Sequence, residues 1–398
     1  MNARYLTRVR VGFWPLVAGL LLASLAVIAV LRYTKGLGAV TNLSDDFPWG
    51  LWIGFDILCG VGLAAGGFAI AATVHVLHLH DFKPILRPTI LTAFLGYALV
   101  IVALLFDLGK PWNIWHPIVM WNPRSVMFEV GWCVMLYTTV LFLEFLPAVL
   151  ERFRLAAPLR VMGKISPLLV IAGVILSTLH QSSLGSLFLL LPHKLHPLWY
   201  SPLLPVLFFV SAVAAGLAMT VVESWFSRRA FGRPIETPLL ARLSRTSVVV
   251  LALYLALRLR DLVARDALAS MFPLNLASWL FLAEVFGGVV LPMVLLAMPW
   301  TRRSPRRLAL AQGLVVLGFI LHRLNVSTTA VEAATGVRYL PALPEFLVTM
   351  GLVALGMLAF CAACEYLPVF PQAARGAESK AVTARAGVPV VDAPQTLA

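Results

Sequence analysis

The stretch Ser177-Thr-Leu-His-Gln-Ser-Ser-Leu-Gly185 places an imidazole beside an amide inside an otherwise apolar run, from about 165 to 191. The imidazole of His180 titrates near neutral pH and can exchange a proton with a bound molecule. The amide of Gln181 can hydrogen-bond a carbonyl oxygen. Ionisable groups in hydrocarbon are costly and usually mark a functional site. The neighbouring hydroxyls have a simpler explanation, because Ser and Thr commonly join helices in membranes.

The elements that must position these groups are membrane-spanning helices. Of the 398 residues, 60% are hydrophobic and 12% charged, whereas a soluble domain carries about 25% charged residues. The composition therefore indicates an all-α, polytopic membrane protein. Apolar windows of about twenty residues predict about ten transmembrane helices, and the seventh is the weakest because charged residues fall near its end. The predicted spans are 12–31, 50–78, 86–107, 125–147, 165–191, 202–226, 245–265, 276–298, 306–325 and 345–367.

We expect two four-helix bundles plus flanking helices within a single transmembrane domain, residues 12–367. Residues 1–11 are expected to form a cytoplasmic N-terminus. Residues 368–398 are rich in Ala, Val and Pro without periodicity, and this composition predicts a disordered cytoplasmic tail.

Basic residues alternate between loops, which accounts for the net charge of +13 without a nucleic-acid partner. Loops on one side carry 21 of the 31 basic residues. Because such loops remain in the cytoplasm, the pattern predicts that both termini are inside. The outer loops and helix ends carry eight of the eleven tryptophans. An interfacial aromatic belt or a surface that docks a partner would explain that excess.

Most ionisable residues inside the predicted helices lie near the outer ends, and His180 is the deepest of them. Arg258 and Arg323 could neutralise the carboxylates in a purely structural ion-pair network. The alternative is a polar pocket that opens near the outer face, with carboxylates that carry protons. Glu223, one turn inside its helix on the other side, could belong to a proton route from the cytoplasm. The outer set comprises Asp56, Asp107, Glu129, Arg258, Asp261, Glu284, His322 and Arg323.

Resident metal cofactors are not predicted. The four cysteines form no cluster, whereas an iron–sulfur centre takes about four thiolates. The histidines at 75, 78 and 80 lack a second ligand segment. A buried haem needs two axial histidines at matched depth, and the predicted depths of His180 and His322 differ by two turns, about 10 Å. We therefore predict no haem, no iron–sulfur cluster and no metal site in this chain.

Several motifs together resemble the NrfD/PsrC family of integral membrane subunits, over nearly all of residues 12–367. Within it the chain most resembles the HybB-type subunits of periplasm-facing nickel–iron hydrogenases. The Asp-Leu-Gly-Lys-Pro element is common to the family, and the two His-containing elements narrow the likeness. The motifs are Trp49-Gly-Leu-Trp-Ile-Gly-Phe-Asp56, Phe106-Asp-Leu-Gly-Lys-Pro-Trp112, Leu179-His-Gln-Ser-Ser-Leu-Gly185, His196-Pro-Leu-Trp-Tyr-Ser-Pro-Leu-Leu-Pro205, Arg229-Ala-Phe-Gly-Arg-Pro-Ile-Glu236 and Arg323-Leu-Asn-Val326.

The resemblance implies a haem-free, quinone-reactive subunit of the bacterial inner membrane that is not catalytic alone. Its partners would be a periplasmic, ferredoxin-like iron–sulfur protein and hydrogenase subunits. Menaquinone or ubiquinone would bind in the outer half. The expected quinone-binding residues are His180, Gln181, Asp107, Trp115, His116, Tyr200 and Asp56. The expected polar surround and proton route comprise Glu129, Glu284, Arg258, Asp261, Arg323 and Glu223.

Two other functions fit the same pattern less well. A secondary transporter also has about ten helices and a polar site near the midplane, but it typically carries Gly- or Pro-broken helices at matching positions of two halves. We see no such pair in the sequence. A purely structural anchor for a peripheral enzyme is the third possibility, and it predicts that Asp56, Asp107 and His180 can be replaced without effect.

Overall fold

Ten long helices form the protein in a computed structural model, which describes residues 13–45, 47, 49–232 and 237–370. No strand occurs in those residues, which confirms the all-α prediction. The predicted N-terminus 1–11 lies outside the described residues, as does the tail beyond residue 370. The helices are α1 (Phe13–Lys35), α2 (Trp52–His75), α3 (His80–Asp107), α4 (Val126–Arg152), α5 (Ala156–Leu189), α6 (Leu204–Phe231), α7 (Thr237–Ala264), α8 (Leu276–Ala297), α9 (Pro305–Thr335) and α10 (Leu343–Tyr366).

Nine of these helices, within the part of the chain described, are long and apolar enough to cross a membrane. The exception is α7, which spans 28 residues but carries several charged side chains. It nevertheless packs along α6 and α8, so it belongs to the helix assembly. The protein is therefore a multi-pass membrane protein.

The helices pack as two bundles with a flanking pair. Helices α2–α5 pack together, and α6–α9 form a second group in which α6 contacts both α7 and α9. Helices α1 and α10 pack against each other, and α10 also contacts α3. Helix α6 additionally lies against α2 and α5, which joins the two bundles. This arrangement matches the prediction of two four-helix bundles with flanking helices.

Small residues let the two bundles approach closely. Gly66 of α2 faces the backbone of Gly216 on α6, and a side chain at either position would meet the other helix. Small residues at helix contacts are the usual means of close packing in membranes. Gly66 and Gly216 therefore allow the close approach of α2 and α6.

Two helices extend well beyond their predicted bounds. Helix α5 begins nine residues before position 165, because its first turns are polar and so lay outside the apolar window. Helix α9 continues ten residues past position 325, because a π-helical stretch, Asn325–Thr329, carries it on. We call the end of the bundles that holds the loops 108–125, 190–203 and 336–342 the outer end, following the predicted orientation.

Candidate functional site

The first polar cluster lies at the outer ends of α1, α2, α3 and α10, and we call it the carboxylate cluster. Asp56 accepts a hydrogen bond from Thr349 at 2.7 Å and interacts electrostatically with Asp107, the last residue of α3. Arg32 of α1 donates to the carbonyls of Phe106 (2.7 Å) and Leu108. Its charge lies close enough to act on Asp107. Arg32 thus ties α1 to the end of α3 and offsets part of the negative charge.

Glu345 is the third acid of the carboxylate cluster, and it is wholly buried. Its carboxylate accepts hydrogen bonds from the backbone nitrogens of Asn42 (3.0 Å) and Ala342 (2.9 Å), and from the Tyr339 hydroxyl. Burial and the bond to Glu345 raise the pKa of Tyr339, which lies in the loop before α10. Its hydroxyl also accepts from the backbone nitrogen of Leu51 (2.9 Å). These bonds fix the start of α10 against the start of α2.

The second cluster lies in the α6–α9 bundle around Glu284, and we call it the Glu284 cluster. One carboxylate oxygen lies 2.8 Å from Nδ1 of His322. The other accepts from Nε1 of Trp199 (2.9 Å) and Nδ2 of Asn325 (2.8 Å). Glu284 lies eight residues into α8, about 12 Å below its outer end. A small cavity lined by Glu284, His322 and Tyr254 has room for about one water molecule.

Two buried arginines flank Glu284, but neither forms a salt bridge with a carboxylate among the described residues. Arg258 donates to the carbonyl of Leu198 (2.8 Å). Arg323 donates to the carbonyl of Phe208 (3.0 Å), and its guanidinium lies 3.6 Å from the centre of the Phe208 ring. Neither arginine therefore contacts Asp56, Asp107 or Glu284 directly. The positive charges of Arg258 and Arg323 offset the negative charge of Glu284 only at longer range.

The π-helical stretches coincide with these two clusters. Three occur in the described residues, and each contains one cluster member: Asp56 in Trp52–Ile57, Glu284 in Ala283–Val290 and Asn325 in Asn325–Thr329. Because π-helical turns cost stability and are frequent at functional sites, their positions support a functional role for the outer half.

The third group surrounds His180 within the α2–α5 bundle, and His180 and Gln181 are wholly buried there. The Gln181 amide donates to the carbonyl of Val61 (3.1 Å). Both ring nitrogens of His180 and Oε1 of Gln181 form no hydrogen bond of normal geometry within the described part of the chain, and the His180 ring lies close to the backbone of Val130. The His180 ring lies 5.7 Å from that of Tyr97. Since Val61 is five residues below Asp56, this group lies about 8 Å deeper than the carboxylate cluster.

The other predicted site residues are spread more widely. Trp115 is half exposed on the outer α3–α4 loop, where its ring lies 4.4 Å from that of His116. Tyr200 is partly buried beside Trp199 on the α5–α6 loop. Glu129 is exposed at the outer end of α4. Asp261 pairs with Arg265 at 2.6 Å on α7.

Glu223 lies in the inner half, away from the other predicted site residues. Its carboxylate accepts a hydrogen bond from Thr92 (2.8 Å), and it lines a small cavity between α2, α3 and α6. The structure therefore distributes the predicted set over three groups, two loops and the separate positions of Glu129, Asp261 and Glu223, rather than in one pocket.

Several cluster members were not predicted from the sequence. Arg32, Thr349 and Glu345 are polar residues near predicted helix ends, which made them indistinguishable from interfacial side chains. Tyr97 and Tyr137 lie inside apolar spans, and a mid-span tyrosine is the one signal that could have found them.

In the α5–α6 loop, burial lowers the pKa of His196, whose ring lies 5.9 Å from that of Trp199.

A metal centre is not apparent in the described residues, where no group of three His, Cys, Asp or Glu side chains could hold an ion. A haem with two axial histidines also fits poorly. His180 and His322 lie in different bundles, and α6, which packs against both α5 and α9, lies between them. His322 lies deeper than predicted, because α9 continues past it to Thr335.

The family model "Polysulphide reductase, NrfD" matches residues 39–331. A protein of Nitratidesulfovibrio vulgaris is 42% identical over 323 residues, 79% of this chain and 83% of the relative. The probable Ni/Fe-hydrogenase 2 b-type cytochrome subunit of Escherichia coli is 33% identical over 361 residues, 89% of this chain and 92% of the relative. The menaquinone reductase integral membrane subunit of N. vulgaris is 29% identical over 372 residues, 85% of this chain and 87% of the relative.

Proposed function

The chain belongs to the NrfD family, and from that premise we propose that it is a haem-free, quinone-binding membrane subunit. It passes electrons between a periplasmic, ferredoxin-like iron–sulfur partner of a hydrogenase and the quinone pool of the bacterial inner membrane. The Escherichia coli relative is named as a hydrogenase subunit, which supports the hydrogenase partner. The N. vulgaris relative is named as a menaquinone reductase subunit, which supports the reaction with quinone. Menaquinone and ubiquinone both fit the chemistry described below.

The unpartnered polar atoms of His180 and Gln181 carry the proposal. A quinone carbonyl needs a hydrogen-bond donor, and an imidazole N–H of His180 provides one. When the carbonyl becomes a hydroxyl, it needs an acceptor, and Oε1 of Gln181 provides that. Both side chains are wholly buried, which keeps water from competing for the same atoms. A ring with two carbonyls therefore satisfies the atoms that the protein itself leaves unpartnered.

The carboxylate cluster supplies the acid–base groups above this site. Reduction of a quinone takes up two electrons and two protons, so groups that hold and release protons must lie close to the ring. Asp56 and Asp107 lie about 8 Å above the His180 group. The Glu284 cluster, with Arg258 and Arg323, borders the same outer half. Glu129 and Asp261 extend this outer set, whereas Glu223 lies apart in the inner half.

The outer loops form the proposed docking surface for the iron–sulfur partner. Trp112, Trp115 and Trp121 are between 51% and 67% exposed on the α3–α4 loop. Aromatic side chains that a partner buries often dominate the binding energy of an interface, so these three suit a docking surface. Trp115 and His116, together with Tyr200, would cap the quinone site from that side. Electrons would then enter at the outer face and travel a short distance into the bundle.

Purification of the complex from its native membrane tests the partner assignment. We expect iron–sulfur subunits and extractable quinone to copurify with the chain, and the optical spectrum to lack the bands of a b-type haem. A chain that purifies alone and without quinone would support the secondary transporter instead. A haem spectrum that follows this chain through further separation would overturn the haem-free assignment.

Turnover of the intact complex tests the role of His180. We expect His180→Ala to reduce electron transfer from the partner to quinone by about 100-fold or more, since general acid–base groups contribute at least that much. The matched control is Thr178→Val on the same helix, because the Thr178 hydroxyl is bonded to its own backbone at Val174 (2.7 Å). Full turnover in His180→Ala would rule out the proposed site and leave the structural anchor as the better reading.

A further inference from the structure

Buried polar atoms without partners concentrate on one strip of the α2–α5 bundle. Fifteen such side-chain atoms occur in the described residues, and seven of them belong to six side chains of α3, α4 and α5. Of the other eight, five belong to Arg258, His322 and Arg323 around Glu284, and the remaining three belong to Asp107, Thr301 and Gln312. We call this set the buried polar strip. Its members are Tyr97, Tyr137, Glu144, Ser177, His180 and Gln181.

The upper part of the strip is continuous from His180 at mid-depth to Tyr137. The ring of Tyr97 lies 5.7 Å from that of His180 and 4.7 Å from that of Tyr137. The side chains of Ser177 and Gln181 lie beside the Tyr97 hydroxyl without a hydrogen bond of normal geometry. These five members are therefore near neighbours, whereas Val140 lies on the same face of α4 between Tyr137 and Glu144.

The lower part of the strip reaches Glu144. Gly173 is one turn below Ser177 on α5, and a Cβ placed there would lie 3.6 Å from the Tyr137 ring and 3.8 Å from Oε1 of Glu144. Tyr137 and Glu144 are seven residues apart on α4, so they share a face and differ in depth by about 10 Å. Glu144 is eight residues from the inner end of α4, and its side chain is only partly buried.

Unpartnered polar atoms are expensive in a membrane protein. Burying a hydroxyl or amide without a hydrogen bond costs roughly 2–7 kcal/mol, and hydrocarbon offers no replacement partner. Three of the seven atoms belong to His180 and Gln181 and are those assigned to the quinone. Packing does not explain the other four, which belong to Tyr97, Tyr137, Ser177 and Glu144. Water satisfies hydroxyl, imidazole and carboxyl groups alike, and buried waters typically make about three hydrogen bonds to such groups.

We propose that the buried polar strip is hydrated and carries protons between Glu144 in the inner half and the site at His180. The inference rests on the proposed function. In the reducing direction a quinone takes two electrons from the iron–sulfur partner and two protons through the strip, and leaves as quinol. In the oxidising direction the same protons return along the strip. The protons would thus be exchanged with the inner aqueous phase, although the electrons enter from the outer face.

Glu223 offers the rival route and therefore the matched control. Like Glu144, it lies eight residues from the inner end of its helix. Its carboxylate accepts a hydrogen bond from Thr92, and the cavity beside it is lined mainly by small and apolar residues together with Thr89 and Thr220, which both bond their own helices. The two acids differ in their polar neighbours: those beside Glu223 are hydrogen-bonded within the protein, whereas those of the strip are not.

Hydration is tested directly by hydroxyl-radical footprinting of the intact complex, in which radiolysis of bound water oxidises adjacent aromatic rings. We expect Tyr97 and Tyr137 to be oxidised, although at most 1% of either is exposed. Phe188 on α5 is equally buried within a hydrophobic cluster and should stay unmodified. Protection of both tyrosines to the level of Phe188 would overturn the inference, whatever the complex does with quinone.

Proton transfer is tested in vesicles that contain the complex with its outer face exposed and a pH dye inside. We expect Tyr137→Phe and Glu144→Gln to slow quinone reduction and internal alkalinisation by about tenfold or more, with the KM for quinone unchanged. A membrane-permeant weak acid should restore the rate. Glu223→Gln should retain both. Ser177→Ala serves as a second strip variant if either of the first two fails to assemble.

The outcomes separate this inference from the proposed function. Normal rates in the strip variants, together with loss of internal alkalinisation in Glu223→Gln, would place the protons on the rival route and overturn the inference while the quinone site stands. Alkalinisation that is absent in the wild-type complex during full turnover would also overturn it. Failure of the wild-type complex to react with quinone would remove the proposed function, and the proton assignment with it.

Discussion

Nδ1 of His322 lies 2.8 Å from Oε1 of Glu284, and both side chains are almost wholly buried. The second carboxylate oxygen receives N–H groups from Trp199 and Asn325. One acidic side chain therefore joins α8, α9 and the α5–α6 loop. Its negative charge also offsets Arg258 and Arg323, whose guanidinium groups have donors without partners in the described residues.

Removing the negative charge of Glu284 should destabilise the α6–α9 bundle. We expect Glu284→Gln to cost about 3–5 kcal/mol, because removal of one partner leaves buried charges uncompensated. The measurement is the thermal unfolding midpoint of the detergent-solubilised complex, which should fall by at least about 5 °C. Glu129→Gln is the control, since Glu129 is exposed. Equal midpoints for both variants would contradict a central role for Glu284.

Two adjacent glycines should respond very differently to the same substitution. A Cβ at Gly288 on α8 would collide with the backbone of Gly318 on α9, whereas a Cβ at Gly287 meets nothing within 4 Å. We expect Gly288→Ala to lose about 1–3 kcal/mol by overpacking and Gly287→Ala to be close to neutral. Unfolding midpoints of the two variants provide the comparison, and a neutral Gly288→Ala would mean that α8 and α9 are not in contact here.

Arg32 should be difficult to replace even by lysine. Its guanidinium bonds two carbonyls at the end of α3, and a lysine ammonium cannot match that fork. Hydrogen bonds from a charged group contribute about 1.5–3 kcal/mol each. We therefore expect both Arg32→Lys and Arg32→Ala to lower the unfolding midpoint, with alanine the more severe. The nearby Tyr33→Phe, which loses one exposed bond, should show almost no change.

The hydrogen bond from Thr349 to Asp56 allows a milder test of the carboxylate cluster. Thr349→Val keeps the shape and removes the donor, so stability should fall by only about 1 kcal/mol. If Asp56 serves the quinone site, turnover should fall several-fold more than the stability loss accounts for. Thr139→Val is the control, since the Thr139 hydroxyl is exposed and bonds its own helix. Parallel losses in both variants would assign Asp56 a structural role only.

The sequence was sufficient for the architecture but not for the contacts. Hydropathy identified all ten helices, and the basic residues predicted which loops share one side of the membrane. Both signals follow from the energetics of placing a chain in lipid. Helix ends were missed where the helix left the apolar window, as in the polar first turns of α5. The end of α9 was missed because hydropathy carries no signal for a π-helical turn.

The partners of buried charges were the least predictable part of the site. Depth along the helix correctly grouped Asp56, Asp107 and Glu284 in the outer half. It could not show that Arg32, a residue near a helix end, would lie close enough to offset the charge of Asp107. It also could not show that Arg258 and Arg323 would bond carbonyls and aromatic rings instead of carboxylates. Those choices depend on helix rotation and crossing, which the single sequence does not specify.

The π-helical turns have a consequence for insertions and deletions. A π turn accommodates one residue more than an α turn, and each residue of an α-helix corresponds to a rotation of about 100°. Deleting one residue from Ala283–Val290 would therefore swing Glu284 away from His322, or turn the rest of α8 away from α9. Single-residue gaps at these three places in related chains would mark a change in the polar clusters, although they leave the hydropathy profile untouched.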